Sequence, residues 1–175
     1  MACTVLADGL DEFEEIIHTA FTLGADAIAL NPFTPTGYGL KQQGKFYLSQ
    51  QQLHLFLEQA QNLATILPMP MSVTLPVEDC LLPHKNYPNL YFNPCQYGLN
   101  KWVIDPEGNL RICEQNPEII GSLLTHSFSE LSIKQKVMDF RSKNHKAECF
   151  DCKEYQQCGG GCRFRQALKP DEIED

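Results

Sequence analysis

Hydrophobic and polar positions follow two alternating periods over the first third of the chain. Cys3 to Ala7 is a short β-prone run. Beyond it Phe13, Ile16, Ile17, Ala20 and Leu23 recur on one helical face, with Asp8 and Asp11 placed to cap that helix and Gly24 to end it. Ala27 to Leu30 predicts a second strand, which closes a β-α-β unit. The run Asn31-Pro32-Phe33-Thr34-Pro35-Thr36-Gly37-Tyr38-Gly39 predicts a turn-rich loop and no regular element. Ser49, with Gln52 three residues later, forms a capping box for a helix that carries Leu53, Phe56, Leu57, Ala60, Leu63, Ala64 and Leu67 on one face. Pro68 and Pro70 stop it, and Met71 to Leu75 predicts a third strand. Strands joined by amphipathic helices of this length imply a parallel sheet, hence an α/β fold. Three strands cannot close a barrel, so the layer is expected to be a partial β/α barrel, the end of a larger unit whose sheet edges need cover.

From Val77 the pattern gives way to Pro, Asn, Tyr and Cys, with Pro83, Pro88 and Pro94 punctuating an irregular stretch where a domain boundary is expected. Residues 101–104 and 110–113 flank Asp105-Pro106-Glu107-Gly108-Asn109, a turn signal that predicts a hairpin. A last helix is expected from the capping box Ser127 to Glu130 as far as about Arg141, with Leu131, Val137, Met138 and Phe140 as core candidates. After Lys143 the chain reads as loop and cysteine, with the acidic end Asp171 to Asp175 as a solvated tail.

The 175 residues suffice for one ordinary domain or two small ones, and about a quarter of them are Leu, Ile, Val or Phe, enough to bury a core. A net charge of −8 argues against a grip on phosphate backbones, so neither nucleic acid nor a membrane surface is expected as a partner. Apolar runs fall far short of the roughly 20 residues that span a bilayer. The start MACTVLADGL sets no basic segment ahead of an apolar one, so no signal peptide is expected and the cytoplasm is the expected compartment.

Cysteine changes the picture. Six of the eight lie between Cys95 and Cys162, and in a reducing compartment clustered thiols bind metal more often than they pair. Their spacing is Cys95-x12-Gly108-x4-Cys113, then Cys149-x2-Cys152-x5-Cys158-x3-Cys162. A hairpin turn at Gly108 would return Cys113 toward Cys95, and the two-residue gap lets Cys149 and Cys152 reach one centre. Gly159, Gly160 and Gly161 permit a close turn in which backbone amides approach sulfur. His18, His54, His84, His126 and His145 are scattered, with no pair at ligand spacing. Thiolate-only ligation suits iron–sulfur clusters; a structural zinc site within an interaction domain, or a disulfide set, are the alternatives.

This ordered set, ending in Cys158-Gly159-Gly160-Gly161-Cys162-Arg163, resembles the SPASM domain at the C-terminal end of many radical S-adenosylmethionine (SAM) enzymes. Ile120-Gly121-Ser122-Leu123-Leu124 and Ser127-Phe128-Ser129-Glu130-Leu131 resemble that family's linker. Residues 23–32 and the loop Thr36-Gly37-Tyr38-Gly39 are similar to the last β/α units of the radical SAM partial barrel. The resemblance divides the chain into a barrel end at 1–76, a linker at 77–94 and a small, irregular α+β SPASM-like domain at 95–175.

The resemblance implies one or two auxiliary [4Fe–4S] clusters, with Cys149, Cys152 and Cys158 on one and Cys95, Cys113 and Cys162 on the other. Cys80 is a candidate fourth ligand, and Cys3 a core thiol. The family's usual seventh cysteine, beyond the Cys-x3-Cys pair, has no counterpart up to Asp175. Nor does the sequence contain CxxxCxxC, the loop that holds the SAM-cleaving cluster in the family. SAM is therefore expected only in a complete parent enzyme, and no residue here is expected to be catalytic. The implied function is that of the iron–sulfur portion of an enzyme maturing a peptide or protein substrate. The alternative is a non-catalytic peptide-binding or electron-transfer partner of a separate catalytic chain. The loop Asn31 to Gly39 follows a parallel strand, where α/β sheets place ligands, but reads first as an ordinary connection.

Overall fold

The computed structural model describes residues 1–131, 133–142 and 149–162. The acidic tail, Arg163 and His145 lie outside them. Strand β1 (Ala2–Val5) leads through a 3-10 segment (Ala7–Glu12) into helix α1 (Phe13–Thr22). Neither Asp8 nor Asp11 caps α1, because the intervening 3-10 turns already engage its first amides. The helix ends at Gly24 as expected: with φ of 85°, its amide bonds Phe21 O while Ala25 N bonds Ala20 O, the paired bonds of a Schellman turn.

Strand β2 (Ile28–Pro32) extends two residues into the expected loop; a 3-10 turn (Gly37–Gln42) begins within that loop, and short helix α2 (Gln43–Phe46) follows it. Helix α3 (Gln50–Ile66) starts on the full Ser49–Gln52 capping box. Strand β3 (Met71–Val73) follows, and then a strand that the sequence pattern does not reveal, β4 (Leu90–Phe92). It lies within the stretch expected to be a linker; only three residues long and bordered by proline, it carries no periodic signal of its own.

The four strands pair in parallel in the order β1-β2-β3-β4, each beside its predecessor in sequence. Right-handed crossovers in that order place the helices on one face, the arrangement of a β/α barrel segment. Period-two burial follows. Cys3, Val5, Ile28, Leu30, Met71 and Val73 are buried in one core with α1 and α3, whereas Thr4, Ala29, Asn31 and Ser72 are half-buried or exposed. Phe13 of α1 meets Phe56 of α3 edge to face, ring centroids 5.2 Å apart, and Phe56 is wholly buried. Phe56→Ala should cost about 3–5 kcal/mol, read from the urea midpoint of the far-UV signal, and a shift worth under about 1 kcal/mol would show that this helix pair does not carry the layer.

The second unit is smaller. The expected hairpin forms from β5 (Val103–Ile104) and β6 (Asn109–Arg111), with Ile104 opposite Leu110, and β7 (Ile119–Ser122) adds a third antiparallel strand. Asp105 closes the hairpin turn by accepting from the amides of Glu107 and Asn109, bonds that hold its carboxyl below the usual carboxylate range. Ser127 and Glu130 do bond each other, but they close a turn ahead of helix α4 (Ile133–Ser142) instead of starting it. Phe140 of α4 is buried with Leu110, Ile112 and Ile120, while Met138 is exposed. A last one-turn helix, α5 (Tyr155–Cys158), carries one of the predicted ligands. Among the described residues no helix is long and apolar enough to cross a membrane.

Candidate metal centres

Where the two units meet, Cys95, Cys113 and Cys162 line one cavity of about 500 Å³. Each thiol residue is buried. Their positions are built locally. Arg141 of α4 donates to the carbonyls of Cys95 and Tyr97 at 3.3 and 3.2 Å, fixing the strand-like segment that carries Cys95. Arg111 folds forward to bond Glu114 O and Asn116 O, clamping the turn after Cys113. In that turn the Gln115 amide points at Cys113 Sγ from 3.4 Å. Burial pushes the Cys113 thiol above its ordinary range, and the Gln115 and Asn116 amides pull against it; Cys95 is near enough for its charge to add to the rise. The hairpin thus returns Cys113 to Cys95, as the spacing predicts.

Cys162 arrives from the other end of the domain. Its amide donates to Pro76 O at 2.9 Å, and its thiol contacts Gln115 Oε1 at 3.8 Å. The preceding glycines all have left-handed φ, 66°, 78° and 76° for Gly159, Gly160 and Gly161. A Cβ on Gly161 would fall 2.5 Å from Glu78 Cδ, so only glycine permits the turn to lie this close against the α/β layer. Glu78 itself is the buried charged residue among those described, 3% exposed.

The second group gathers around the same turn. A Cβ built on Gly160 would stand 3.6 Å from Cys149 Sγ, in ordinary van der Waals contact, so the glycine turn runs beside that sulfur. Cys158, at the end of α5, accepts from the Asp79 amide at 3.4 Å. Cys158 and Cys80 share a second cavity, about 600 Å³, with Asp79, His84 and Glu154 on its walls. Cys149 and Cys152 are half-buried, and the Cys152 amide turns back to Cys149 O at 3.4 Å. Cys3 is buried in the sheet core, where burial raises its thiol, and it lines neither cavity.

Among the described residues no three Cys, His, Asp or Glu side chains converge to metal-coordinating distance. The donors nevertheless fit an iron–sulfur group by chemistry: buried thiols, main-chain amides directed at sulfur, and glycine backbone beside it. Among the described residues, His18, His54 and His84 are committed elsewhere. His18 and His54 pair with Glu14 and Glu58 on exposed helix faces. His84 Nε2 bonds Val77 O at 3.1 Å, Nδ1 lies 3.5 Å from Asp79 Oδ1, and the ring stacks on Phe92.

What spacing alone did not reveal is the strip 76–79, through which the barrel layer holds both cysteine groups. Its signal was limited to the adjacent Cys80.

Residues 95–153 match the family model of SPASM, an iron–sulfur cluster-binding domain. The fold resembles three solved structures. One is described as native anSMEcpe with bound AdoMet, 16% identical with a TM-score of 0.59. The others contain AdoMet with a Kp18Cys peptide, 17% identical with a TM-score of 0.57, and with a Cp18Cys peptide, 17% identical with a TM-score of 0.55. Each match covers 93% of this chain and 47% of the other, so the chain spans about half the length of these structures. No curated protein sequence matches the chain.

Proposed function

Because residues 95–153 form a SPASM domain and the chain has the fold of a C-terminal portion of radical SAM/SPASM proteins, we propose that it is the iron–sulfur-binding part of a radical SAM enzyme that modifies a peptide or protein side chain. One observation carries this reading: the cavity holding Cys95, Cys113 and Cys162 is also walled by Asn31, Pro32, Phe33, Thr74 and Leu75, at the C-terminal ends of β2 and β3. In β/α folds that end of the sheet is where reactants bind. Thr4, Ala29 and Asn31 turn the half-buried face of the sheet toward the same space.

The loop Asn31 to Gly39 is then more than a connection. Thr34 Oγ1 is buried without a hydrogen-bond partner among the described residues, and Thr34 lines the cavity. A buried hydroxyl in that position favours a polar guest. With the amide of Asn31 and the hydroxyl of Thr74, which donates to Leu30 O at 3.3 Å and can still accept, it offers donors and acceptors suited to a peptide backbone. The solved structures with bound peptides support that substrate class.

Cys95, Cys113 and Cys162 would hold one auxiliary cluster and Cys149, Cys152 and Cys158 a second. Ligation requires each thiol to lose its proton, and the Gln115 and Asn116 amides favour the thiolate of Cys113 against the cost of burial. When bound, a [4Fe–4S] cluster supplies one-electron redox chemistry close to the substrate cavity.

Anaerobic reconstitution of the chain with iron and sulfide should give stoichiometric iron and visible absorption. Stoichiometric zinc with no iron would replace this reading by a structural zinc domain. The 175 residues contain no CxxxCxxC, so by themselves they should not cleave SAM. Production of 5′-deoxyadenosine by this chain alone, above a no-protein control, would contradict that expectation.

A further inference from the structure

Three cysteines leave a cubane cluster one ligand short, and the second group has only Cys149, Cys152 and Cys158 in its spacing pattern. We infer that Cys80 is the fourth protein ligand of this second centre, an assignment that rests on the iron–sulfur reading above. The reason is place. Cys80 lines the same cavity as Cys158 and is absent from the walls of the one that holds Cys95, Cys113 and Cys162.

The backbone next to Cys80 is already tied to Cys158. The Asp79 amide donates to Cys158 Sγ at 3.4 Å, which puts Cys80 one residue from a hydrogen bond to a ligand sulfur. That amide is also the kind of donor that surrounds cluster thiolates and tunes their potential. Asp79 is held in turn: its carboxylate accepts from the His84 amide at 2.8 Å, which closes the turn containing Cys80.

The other donors on that wall fit less well. His84 has Nε2 against Val77 O and Nδ1 facing Asp79, and its ring is stacked on Phe92 at a centroid distance of 4.0 Å, so neither nitrogen can turn to a metal without dismantling that packing. Asp79 and Glu154 are hard oxygen donors, whereas iron bound by three thiolates and sulfide selects a fourth soft ligand. Cys80 supplies the sulfur, and it lines the cavity from an exposed position. On ligation its thiol releases one proton and its sulfur joins iron.

The test uses the full chain, reconstituted anaerobically with iron and sulfide. A Cys95→Ala background isolates the second centre and a Cys152→Ala background isolates the first. In the Cys95→Ala background, Cys80→Ala should leave that centre on three thiolates and lower the iron it retains, and Cys80→Ser, which keeps an oxygen ligand, should retain iron with a shifted EPR spectrum of the reduced protein. In the Cys152→Ala background neither substitution should alter iron content or spectrum. An unchanged EPR spectrum for Cys80→Ser together with unchanged iron for Cys80→Ala, both in Cys95→Ala protein, would overturn the assignment and leave the iron–sulfur reading standing. Iron loss in the Cys152→Ala background would also overturn it, by moving Cys80 to the first centre. Failure of the unsubstituted chain to take up any iron would instead sink the reading beneath it. The retained iron of Cys80→Ser separates lost ligation from lost folding.

Discussion

Cys152→Ala should halve the iron bound per chain and remove one cluster's share of the visible absorption. The two groups of thiols are separate in space: Cys95, Cys113 and Cys162 surround one cavity, while Cys158 lies on another, behind the glycine turn. Losing Cys152 leaves its centre with Cys149 and Cys158 from the SPASM pattern and leaves the first centre's three thiols in place. Because a metal site seldom pre-exists in the unfolded chain, the binding free energy of each centre becomes folding free energy. The substitution should therefore also lower the resistance of residues 149–162 to proteolysis, since this segment has one short helix and is anchored to the barrel layer through the 76–79 strip. Cys3→Ala is the control. Its thiol is packed in the sheet core, so its loss costs only packing and should leave the iron content unchanged. Equal iron loss from the two variants would refute the division of ligands.

The barrel layer was legible because its signals are periodic and local. The helical face of α3, the Ser49 capping box and the Gly24 stop each depend on residues within a turn or two, and each is realised in the structure, whereas the α1 face is realised only at Phe13, Ile17 and Ala20, with Ile16 and Leu23 exposed. The order of the cysteines was equally plain, since cysteine is rare and the spacing repeats a known arrangement. Less legible were contacts whose partners are far apart in sequence. Leu90–Phe92 is too short for alternation to betray it, and it becomes β4 only because β3 presents an edge to pair with. Ser127 and Glu130 carry the letters of a capping box, yet the bonds they make close a turn several residues before α4 begins. The strip 76–79 straddles the expected start of the linker at Val77, where the composition turns to Pro, Asn, Tyr and Cys. Its role appears only when Cys162 and Cys158, some eighty residues later, bond to it.

That strip explains why the Gly161→Ala substitution should be far more damaging than its size implies. Residue 161 has φ of 76°, a region in which a side chain costs about 1–2 kcal/mol by itself. Gly24→Ala incurs the same kind of strain at φ of 85°, but a Cβ there meets nothing within 4 Å, so it measures the backbone cost alone. At Gly161 the new methyl would also overlap Glu78, with Cδ at 2.5 Å and Cγ at 2.6 Å. Glu78 is buried, and moving its carboxyl group means re-siting a polar group away from water, which folded chains tolerate poorly. The easier adjustment is for the glycine turn to lift off the barrel layer. Lifting it breaks the Cys162 amide bond to Pro76 O and withdraws the Cys162 thiol from the first cavity. Gly161→Ala should then melt below Gly24→Ala and lose the Cys162-dependent iron first. Combining it with Glu78→Ala should restore part of that iron, because the methyl then has room, and the double-mutant cycle isolates the clash from the strain. Iron content and melting temperature matching those of Gly24→Ala would show that the contact between Glu78 and the glycine turn does not position the ligand.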